Sequence, residues 1–163
     1  MAEEQTAEKR LSIGKIYLKD FSFESPQTPG VFQQGDWKPQ TDLNLRSSHT
    51  AISDEHHEIV LTITIEAKEG DKTFFLVELQ QAGLFEIVGY EGEEMNAILG
   101  SFCPNMLFPY ARETVASLIQ KGGFPEFVLQ PINFDALYFQ AKQEQAAKQA
   151  EAASKQAAEA EKH

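Results

Sequence analysis

The sequence predicts an α+β domain in which helices from the second half of the chain cover one face of an antiparallel sheet from the first half. Residues 57–67 alternate apolar and polar side chains, which is the pattern of a half-buried antiparallel strand. Apolar residues after Glu93 recur instead at helical spacing. A chain of 163 residues has about the length of one ordinary domain, so we expect a single core.

Four runs in the first half of the chain have the character of strands. The predicted strands are residues 13–24, 57–67, 73–80 and 83–90. In the first of them Phe21 and Phe23 share one face, and polar residues occupy the other. A turn around Gly70 predicts a hairpin between the second and third runs.

The stretch between the first two predicted strands indicates a surface loop. Proline and glycine interrupt it repeatedly, at Pro26, Pro29, Gly30, Gly35 and Pro39. The same stretch contains Val31, Phe32 and Trp37, which are large apolar residues for a loop on the surface.

Two helices are predicted before residue 122. The first covers residues 93–102 and is expected to stop at Pro104, because the residue before a proline disfavours the helical conformation. The second is expected to begin near Pro109, where the fixed φ of proline suits a first turn. Gly122 and Gly123 predict its end.

The last helix is expected to begin at a cap formed by Asn133 or Asp135 and to run into an alanine-rich tail. We therefore divide the chain into a mobile N-terminal arm (1–11), a folded domain (12–140) and a helical or fraying tail (141–163). The tail is rich in good helix formers but has no side chain more apolar than alanine to bury.

The charge balance argues against two classes of partner. The chain has 14 basic and 25 acidic residues, a net charge of −11, which repels nucleic-acid phosphates and anionic lipid headgroups. No run approaches the roughly 20 apolar residues of a membrane span. The polar, acidic N-terminus is also unlike a secretory signal. We therefore expect a soluble cytoplasmic protein.

Residues that catalysis or metal binding would need are scarce. Cys103 is the single cysteine, so no internal disulfide or cysteine-based metal site is expected. His56 and His57 are adjacent in a predicted strand and so point to opposite faces, which prevents joint chelation of one ion. No glycine pattern of a nucleotide-binding loop is present. We predict no catalytic residue, no metal site, no cofactor and no enzymatic activity.

Two surface features remain, each with two interpretations. The chain has twelve phenylalanines, several of them near loops, such as Phe32 and Phe124. They either fill the core or leave an exposed apolar groove or subunit interface. Asp20 and Glu24 share one face of their strand, and Glu78 lies opposite the apolar side of its own strand. These acids either solvate a wet sheet face or form a docking patch for a basic partner.

Three blocks of the sequence carry a resemblance to a known family. They are residues 16–26 with Val31, Phe32 and Trp37, residues 103–113, and residues 124–125 with 131–137. The first block resembles the opening strand and crossover loop of the SecB family of bacterial protein-export chaperones. The second resembles the helix-opening motif of that family, and the third its final strand and the start of its last helix. The likeness covers about residues 12–140 and departs at the tail.

The resemblance implies a homotetramer, a dimer of dimers, whose protomers contain a four-stranded antiparallel sheet. It implies an ATP-independent holdase that keeps precursors unfolded in the bacterial cytoplasm and delivers them to the SecA translocation ATPase, with the zinc of that contact on SecA. Client contact is carried over to Phe23, Phe32, Trp37, Phe124 and Phe134. SecA docking is carried over to Asp20, Glu24 and Glu78.

Two other hypotheses stay open at this point. One is a SecB-like chaperone dedicated to another client, such as an antitoxin, which would keep the groove and could dispense with SecA docking. The other is a small enzyme on an α+β scaffold, for which the sequence offers no polar constellation. Retention of all three acidic positions favours the export chaperone.

Overall fold

The computed structural model describes residues 8–36 and 38–160. Four strands come first along the chain: β1 (Arg10–Glu24), β2 (Gln40–Ala51), β3 (His56–Glu69) and β4 (Lys72–Val88). A short 3₁₀ helix, Gly30–Gln33, lies in the crossover between β1 and β2. The helices follow: α1 (Gly92–Ala97), a π-helix (Ile98–Phe102), α2 (Cys103–Lys121) and α3 (Phe134–Ala160).

The strands form one sheet in the order β1-β4-β3-β2, and all neighbours are antiparallel. The predicted α+β class and four-stranded antiparallel sheet are therefore confirmed. The predicted third and fourth strands are wrong as separate elements, because β4 runs through both of them. Gln81 interrupts the apolar alternation there, yet it is buried, and its side-chain amide donates to the carbonyl of Tyr17 at 3.0 Å. A satisfied polar residue thus occupies a core position without breaking the strand.

The predicted loop between β1 and β3 is wrong over residues 40–51, which form β2. β2 pairs with β3 along its whole length but lies at the edge of the sheet. An edge strand buries little, and in β2 only Leu45 is half-buried while the remaining residues are exposed. The hydrophobic alternation that identifies a strand is consequently weak in this segment.

The predicted break at Pro104 is also wrong, since α1, the π-helix and α2 follow one another without a gap. Pro104 stands where the bonding pattern changes from π to α, so its missing N–H coincides with an existing irregularity. Pro109 lies inside α2 on its exposed side, where water can satisfy the carbonyl of Asn105. Gly122 and Gly123 end α2 as predicted, and Gly123 has a φ of 84°.

The cap of α3 is Asn133, one of the two predicted candidates. Its side-chain oxygen accepts a hydrogen bond from the backbone N–H of Ala136 at 3.0 Å. From Phe139 to Ala160 every residue of α3 is exposed. Of the predicted N-terminal arm, residues 1–7 lie outside the described residues, and β1 already begins at Arg10.

The core lies between the two central strands and α2. We call the side of the sheet that faces α2 the inner face and the other side the outer face. The fully buried inner-face and α2 side chains are Ile59, Leu61, Ile63, Ile65, Phe75, Val77, Leu79, Phe85, Leu107, Ala111, Val115 and Ile119. The edge strands are less well covered. Phe21 of β1 and Leu43 of β2, which pair with the buried Leu79 and Ile65, remain 54% and 46% exposed.

Candidate functional site

Four phenylalanine rings from separate parts of the chain meet at one end of the inner face, and we call them the aromatic cluster. Phe23 is the penultimate residue of β1, Phe32 comes from the 3₁₀ helix, Phe75 from β4, and Phe124 follows α2. The centroids of Phe75 and Phe124 are 4.9 Å apart, and those of Phe32 and Phe124 are 5.4 Å apart. Phe23 contacts both Phe75 and Phe124 at 6.3 Å. These separations are typical of stabilising aromatic pairs.

The glycine pair that ends α2 makes room for the aromatic cluster. A Cβ atom at Gly122 would lie 2.2 Å from Cζ of Phe23, and one at Gly123 would lie 3.0 Å from Cζ of Phe32. Both rings therefore lie directly against backbone. The sequence indicates this glycine pair as a helix end, but its second role in seating two rings is visible only in the structure.

The aromatic cluster has a buried base and an exposed rim. Phe75 and Phe124 are 2% and 5% exposed, Phe23 is half-buried, and Phe32 is 51% exposed. Three of the residues carried over for client contact thus lie together, and Trp37 lies outside the described residues. The sequence does not identify Phe75 as part of the client site. The alternating pattern of its strand assigns it to the core, and its buried ring does belong to the core.

Phe134 lies apart from the aromatic cluster. It is 5% exposed and makes an edge-to-face contact with Phe108, with 5.6 Å between the ring centroids. It also lines a cavity of 750 Å³ between β2 and α3, which we call the α3 cavity. Apolar side chains from three elements contribute to its wall, namely Leu45 of β2, Leu99 of the π-helix and Leu137 of α3. The four described residues carried over for client contact therefore do not form one continuous aromatic surface.

Asp20, Glu24 and Glu78 lie together on the outer face, and we call them the acidic patch. In the β1–β4 register Ser22 is opposite Glu78, so Asp20 and Glu24, two residues to either side, are its diagonal neighbours. Such neighbours have Cα atoms about 7–8 Å apart on the same face of a sheet. All three side chains are exposed. The sequence predicts the shared face, and the register adds that the three carboxylates are adjacent.

Other outer-face carboxylates are paired, in contrast to the acidic patch. Glu58 accepts hydrogen bonds from Lys19, with its Oε1 2.8 Å from the lysine Nζ, and from Tyr17. The bonds from Lys19 and then Tyr17 lower the pKa of Glu58, and Glu58 raises the pKa of Tyr17 to about 12. Glu86 pairs with Arg10. Within residues 8–36 and 38–160, no ion pair involves a member of the acidic patch.

Groups suited to catalysis are few in the part of the chain that the structure describes. Cys103 is fully buried, and burial raises the pKa of its thiol to about 12, so it is not a reactive thiolate. His57 is buried on the inner face, with its Nδ1 2.8 Å from Nε2 of His49, while His56 is exposed beside Ser53. Burial first and His57 second lower the pKa of His49.

Metal-binding clusters and membrane-spanning helices are both absent from residues 8–36 and 38–160. No group of three or more histidine, cysteine, aspartate or glutamate side chains there is arranged to hold a metal ion. No helix within these ranges is long and apolar enough to cross a membrane.

Comparison with known proteins identifies the family. A family model described as "Preprotein translocase subunit SecB" matches residues 4–145. The chain belongs to the SecB family. The resemblance carried by the three sequence blocks is therefore confirmed.

Several SecB relatives match over most of their length. "Protein-export protein SecB" of Nitrosococcus oceani is 51% identical over 142 residues, covering 86% of this chain and 87% of that one. The protein of the same name from Hahella chejuensis is 51% identical over 152 residues, covering 92% and 95%. That of Marinobacter nauticus is 48% identical over 160 residues, covering 92% and 96%.

A solved structure supports the SecB-like fold. The SecB-like chaperone of Mycobacterium tuberculosis, determined in complex with a ChAD peptide from the HigA1 antitoxin, aligns with a TM-score of 0.62. It covers 76% of this chain and 91% of its own chain at 18% sequence identity. At that identity the likeness shows the fold alone.

The seating of Phe23 on Gly122 gives a testable prediction for the aromatic cluster. Gly122→Ala should lower the free energy of unfolding by about 1–3 kcal/mol, because its methyl group would overlap the Phe23 ring. The cost is steric, since Gly122 has a φ of −73° that alanine adopts readily. Chemical denaturation followed by circular dichroism measures the change.

Two controls separate this clash from a general effect of the substitution. Gly30→Ala, where nothing lies within 4 Å of the new Cβ, should leave stability nearly unchanged. Combining Gly122→Ala with Phe23→Leu should restore part of the loss. Equal effects of the two alanine substitutions would contradict the described seating of Phe23.

Proposed function

We propose that this SecB-family protein is an ATP-independent chaperone that binds unfolded precursor proteins in the bacterial cytoplasm and delivers them to SecA for export. The observation that carries the proposal is the open rim of the aromatic cluster, in which a half-exposed Phe32 rests on buried rings. The export name of relatives at about 50% identity agrees with it. The sequence has no nucleotide-binding loop, consistent with a cycle driven by partner binding.

The proposed client surface has two parts on the inner side of the protomer. The aromatic cluster, with Phe23, Phe32 and Phe124, is the first, and the α3 cavity with Phe134 is the second. Trp37, five residues beyond Phe32 in the chain, is assigned to the first part by the family resemblance. Several separate apolar contacts of modest strength hold an unfolded chain firmly in sum, yet allow release one contact at a time.

The proposed SecA contact is the acidic patch. Three adjacent exposed carboxylates that form no ion pair within the described part of the chain repel one another weakly and contribute little to stability. A basic surface docked on them would relieve that repulsion and gain charge complementarity. Among the described outer-face acids, the paired Glu58 and Glu86 are less available for this role.

The antitoxin-directed alternative receives less support. The relatives that carry the export name are 48–51% identical to this chain. The chaperone solved with an antitoxin peptide is 18% identical, so its likeness does not extend to its ligand.

We propose a homotetramer as the working assembly. Apolar side chains of β1 and α2 remain substantially exposed in the single protomer, namely Ile13, Leu18, Phe21 and Tyr110. Contact with further copies would remove this surface from water. Light scattering at micromolar concentration should give about four times the 18.3 kDa of one chain. A strictly monomeric particle would contradict the assembly.

Phe32→Ala tests the client surface. Because Phe32 is half-exposed at the rim, its truncation should leave stability nearly unchanged and weaken the binding of an unfolded precursor by about 1–3 kcal/mol. Fluorescence anisotropy of a labelled, unfolded precursor without nucleotide measures the affinity. Ile52→Ala is the control, since Ile52 is 62% exposed in the turn between β2 and β3 and belongs to neither part of the proposed surface. Equal affinities of both variants would remove Phe32 from the site.

Replacing the acidic patch with amides tests the SecA contact. The triple variant Asp20→Asn, Glu24→Gln, Glu78→Gln should keep its thermal midpoint but bind SecA at least tenfold more weakly at low salt, with a reduced salt dependence. Client binding should be unaffected because the patch lies on the outer face.

A charge-matched control accompanies the triple variant. Asp54→Asn, Glu69→Gln and Glu91→Gln together remove the same charge from exposed positions outside the acidic patch. They should preserve SecA affinity. Equal weakening by both triple variants would indicate a general charge effect and contradict docking at the patch.

A further inference from the structure

The first turns of α3 are attached to the helical segment before α2 by three side-chain contacts. Asp135 accepts a hydrogen bond from Ser101 of the π-helix. The ring of Tyr138 lies over Gly100, where an added Cβ would be 2.6 Å from its Cδ2 atom. One turn later Lys142 forms an ion pair with Glu93, with 2.5 Å between its Nζ and the glutamate Oε1.

Glu93 contacts both Tyr138 and Lys142 of α3. Its Oε1 accepts a hydrogen bond of 2.6 Å from the hydroxyl of Tyr138 as well as the ion pair from Lys142. A single carboxylate of α1 therefore holds two successive positions on one side of α3.

The attachments differ in strength along α3. At the start of the helix Phe134 is buried, and Asp135 bonds to the buried Ser101, so this end is firmly anchored. Further along, the Glu93 and Lys142 side chains are 58% and 49% exposed. Exposed ion pairs typically contribute 0–1 kcal/mol, so this contact opens at modest cost. The start of α3 is thus a fixed pivot, formed by Phe134 and the Asp135–Ser101 hydrogen bond. The Glu93–Lys142 ion pair, about two turns further along the helix, is a weak fastening.

The α3 cavity lies between this helix and β2. Leu45 lies on the β2 side, and Leu137 and Ala141 lie on the α3 side, within one turn of the fastening to Glu93. Because the pivot is fixed, the position of residues 137–142 sets the separation of the two walls. Asn96, Leu99 and Gly100, which follow Glu93 in the same helical segment, line the same cavity, so separation of α3 from that segment would widen it.

We propose that Glu93, Tyr138 and Lys142 form a latch that holds α3 over the α3 cavity, and that its release admits apolar side chains of an unfolded client. This inference rests on the proposed function, since it assigns the cavity to the same client. Tyr138 and Lys142 act as positioning residues, because they set the place of α3 through Glu93.

Two observations favour a client segment as the occupant. Phe124 of the aromatic cluster and Phe134 of the α3 cavity are joined by residues 124–133, which contain no helix or strand, so both parts lie along one stretch of the protomer. β2, which forms one cavity wall, is an edge strand and pairs only with β3 among the described strands. An extended polypeptide can therefore lie along β2 while its apolar side chains enter the cavity.

The test uses the full-length chain in its native assembly and compares three variants with the parent. Glu93→Gln removes the ion pair, whereas Glu93→Lys combined with Lys142→Glu restores it with the charges exchanged. Glu151→Gln is the control, because it breaks the Glu151–Lys155 pair within α3 and touches neither α1 nor the cavity. Amide hydrogen exchange of residues 136–143 without client reports the latch, and stopped-flow association of a labelled unfolded precursor reports access.

Glu93→Gln should raise both rates about two- to fivefold, as expected for loss of one exposed ion pair. The exchanged pair restores the Lys–Glu attraction but not the hydrogen bond that Glu93 accepts from Tyr138, so it should return both rates most of the way to parental values. Glu151→Gln should leave them unchanged. Unaltered exchange in Glu93→Gln would overturn the latch. Faster exchange with unaltered association would overturn its role in client access. If the parent binds no unfolded polypeptide, the proposed function fails, and the exchange rates alone still decide whether the latch exists.

Discussion

One helix is too narrow to cover a four-stranded sheet, and the functional surfaces follow from that mismatch. Strands about 4.8 Å apart place the axes of the outer two about 14 Å apart, whereas a helix with its side chains is about 10 Å wide. The inner face of β3 and β4 is buried throughout, by α2 over its centre and by the aromatic cluster at one end. β1 and β2 consequently keep exposed apolar residues, such as Phe21 and Leu43. The centre of the sheet is fully covered, whereas apolar side chains at its two edges remain exposed to solvent.

Each uncovered region is associated with a different role. Beside β1, the glycines that end α2 seat Phe23 and Phe32, so apolar rings reach the surface on a rigid base. Beside β2, α3 lies over a cavity instead of packing directly on the strand. The outer face carries exposed polar residues beside the half-buried Leu76 and Leu84, and there the acidic patch, which forms no ion pair among the described residues, offers a charged contact. The proposed client surface and the proposed docking patch thereby lie on opposite faces of the sheet.

The sequence predicts the features that depend on local pattern. Alternation identifies β1 and β3, and glycine chemistry identifies the end of α2. It misses β2, because an edge strand with one half-buried leucine has little alternation to detect. It divides β4, because Gln81 is satisfied only by the distant carbonyl of Tyr17. The helix break that the sequence predicts at Pro104 does not occur, because the missing N–H of the proline coincides with the change from a π-helix to α2.

In the candidate site, too, local pattern predicts some residues, whereas contacts between distant parts of the chain are visible only in the structure. The family resemblance supplies Phe23, Phe32 and Phe124, and alternation supplies the shared face of the acidic patch. The contact of His49 with His57 and the fastening of Lys142 to Glu93 depend on which strands and helices become neighbours. Sequence spacing carries no signal for such pairs, since their members are remote in the chain or lie in an element the sequence did not reveal.

We propose that clients bind the uncovered inner side and not the outer face. Methyl NMR of leucine-labelled protein during titration with an unfolded precursor tests it directly. Leu45 and Leu137 line the inner-side α3 cavity, whereas Leu76 and Leu84 are half-buried on the outer face. We expect the signals of Leu45 and Leu137 to shift or broaden while those of Leu76 and Leu84 do not. Perturbation of Leu76 and Leu84 with Leu45 and Leu137 unchanged would contradict it.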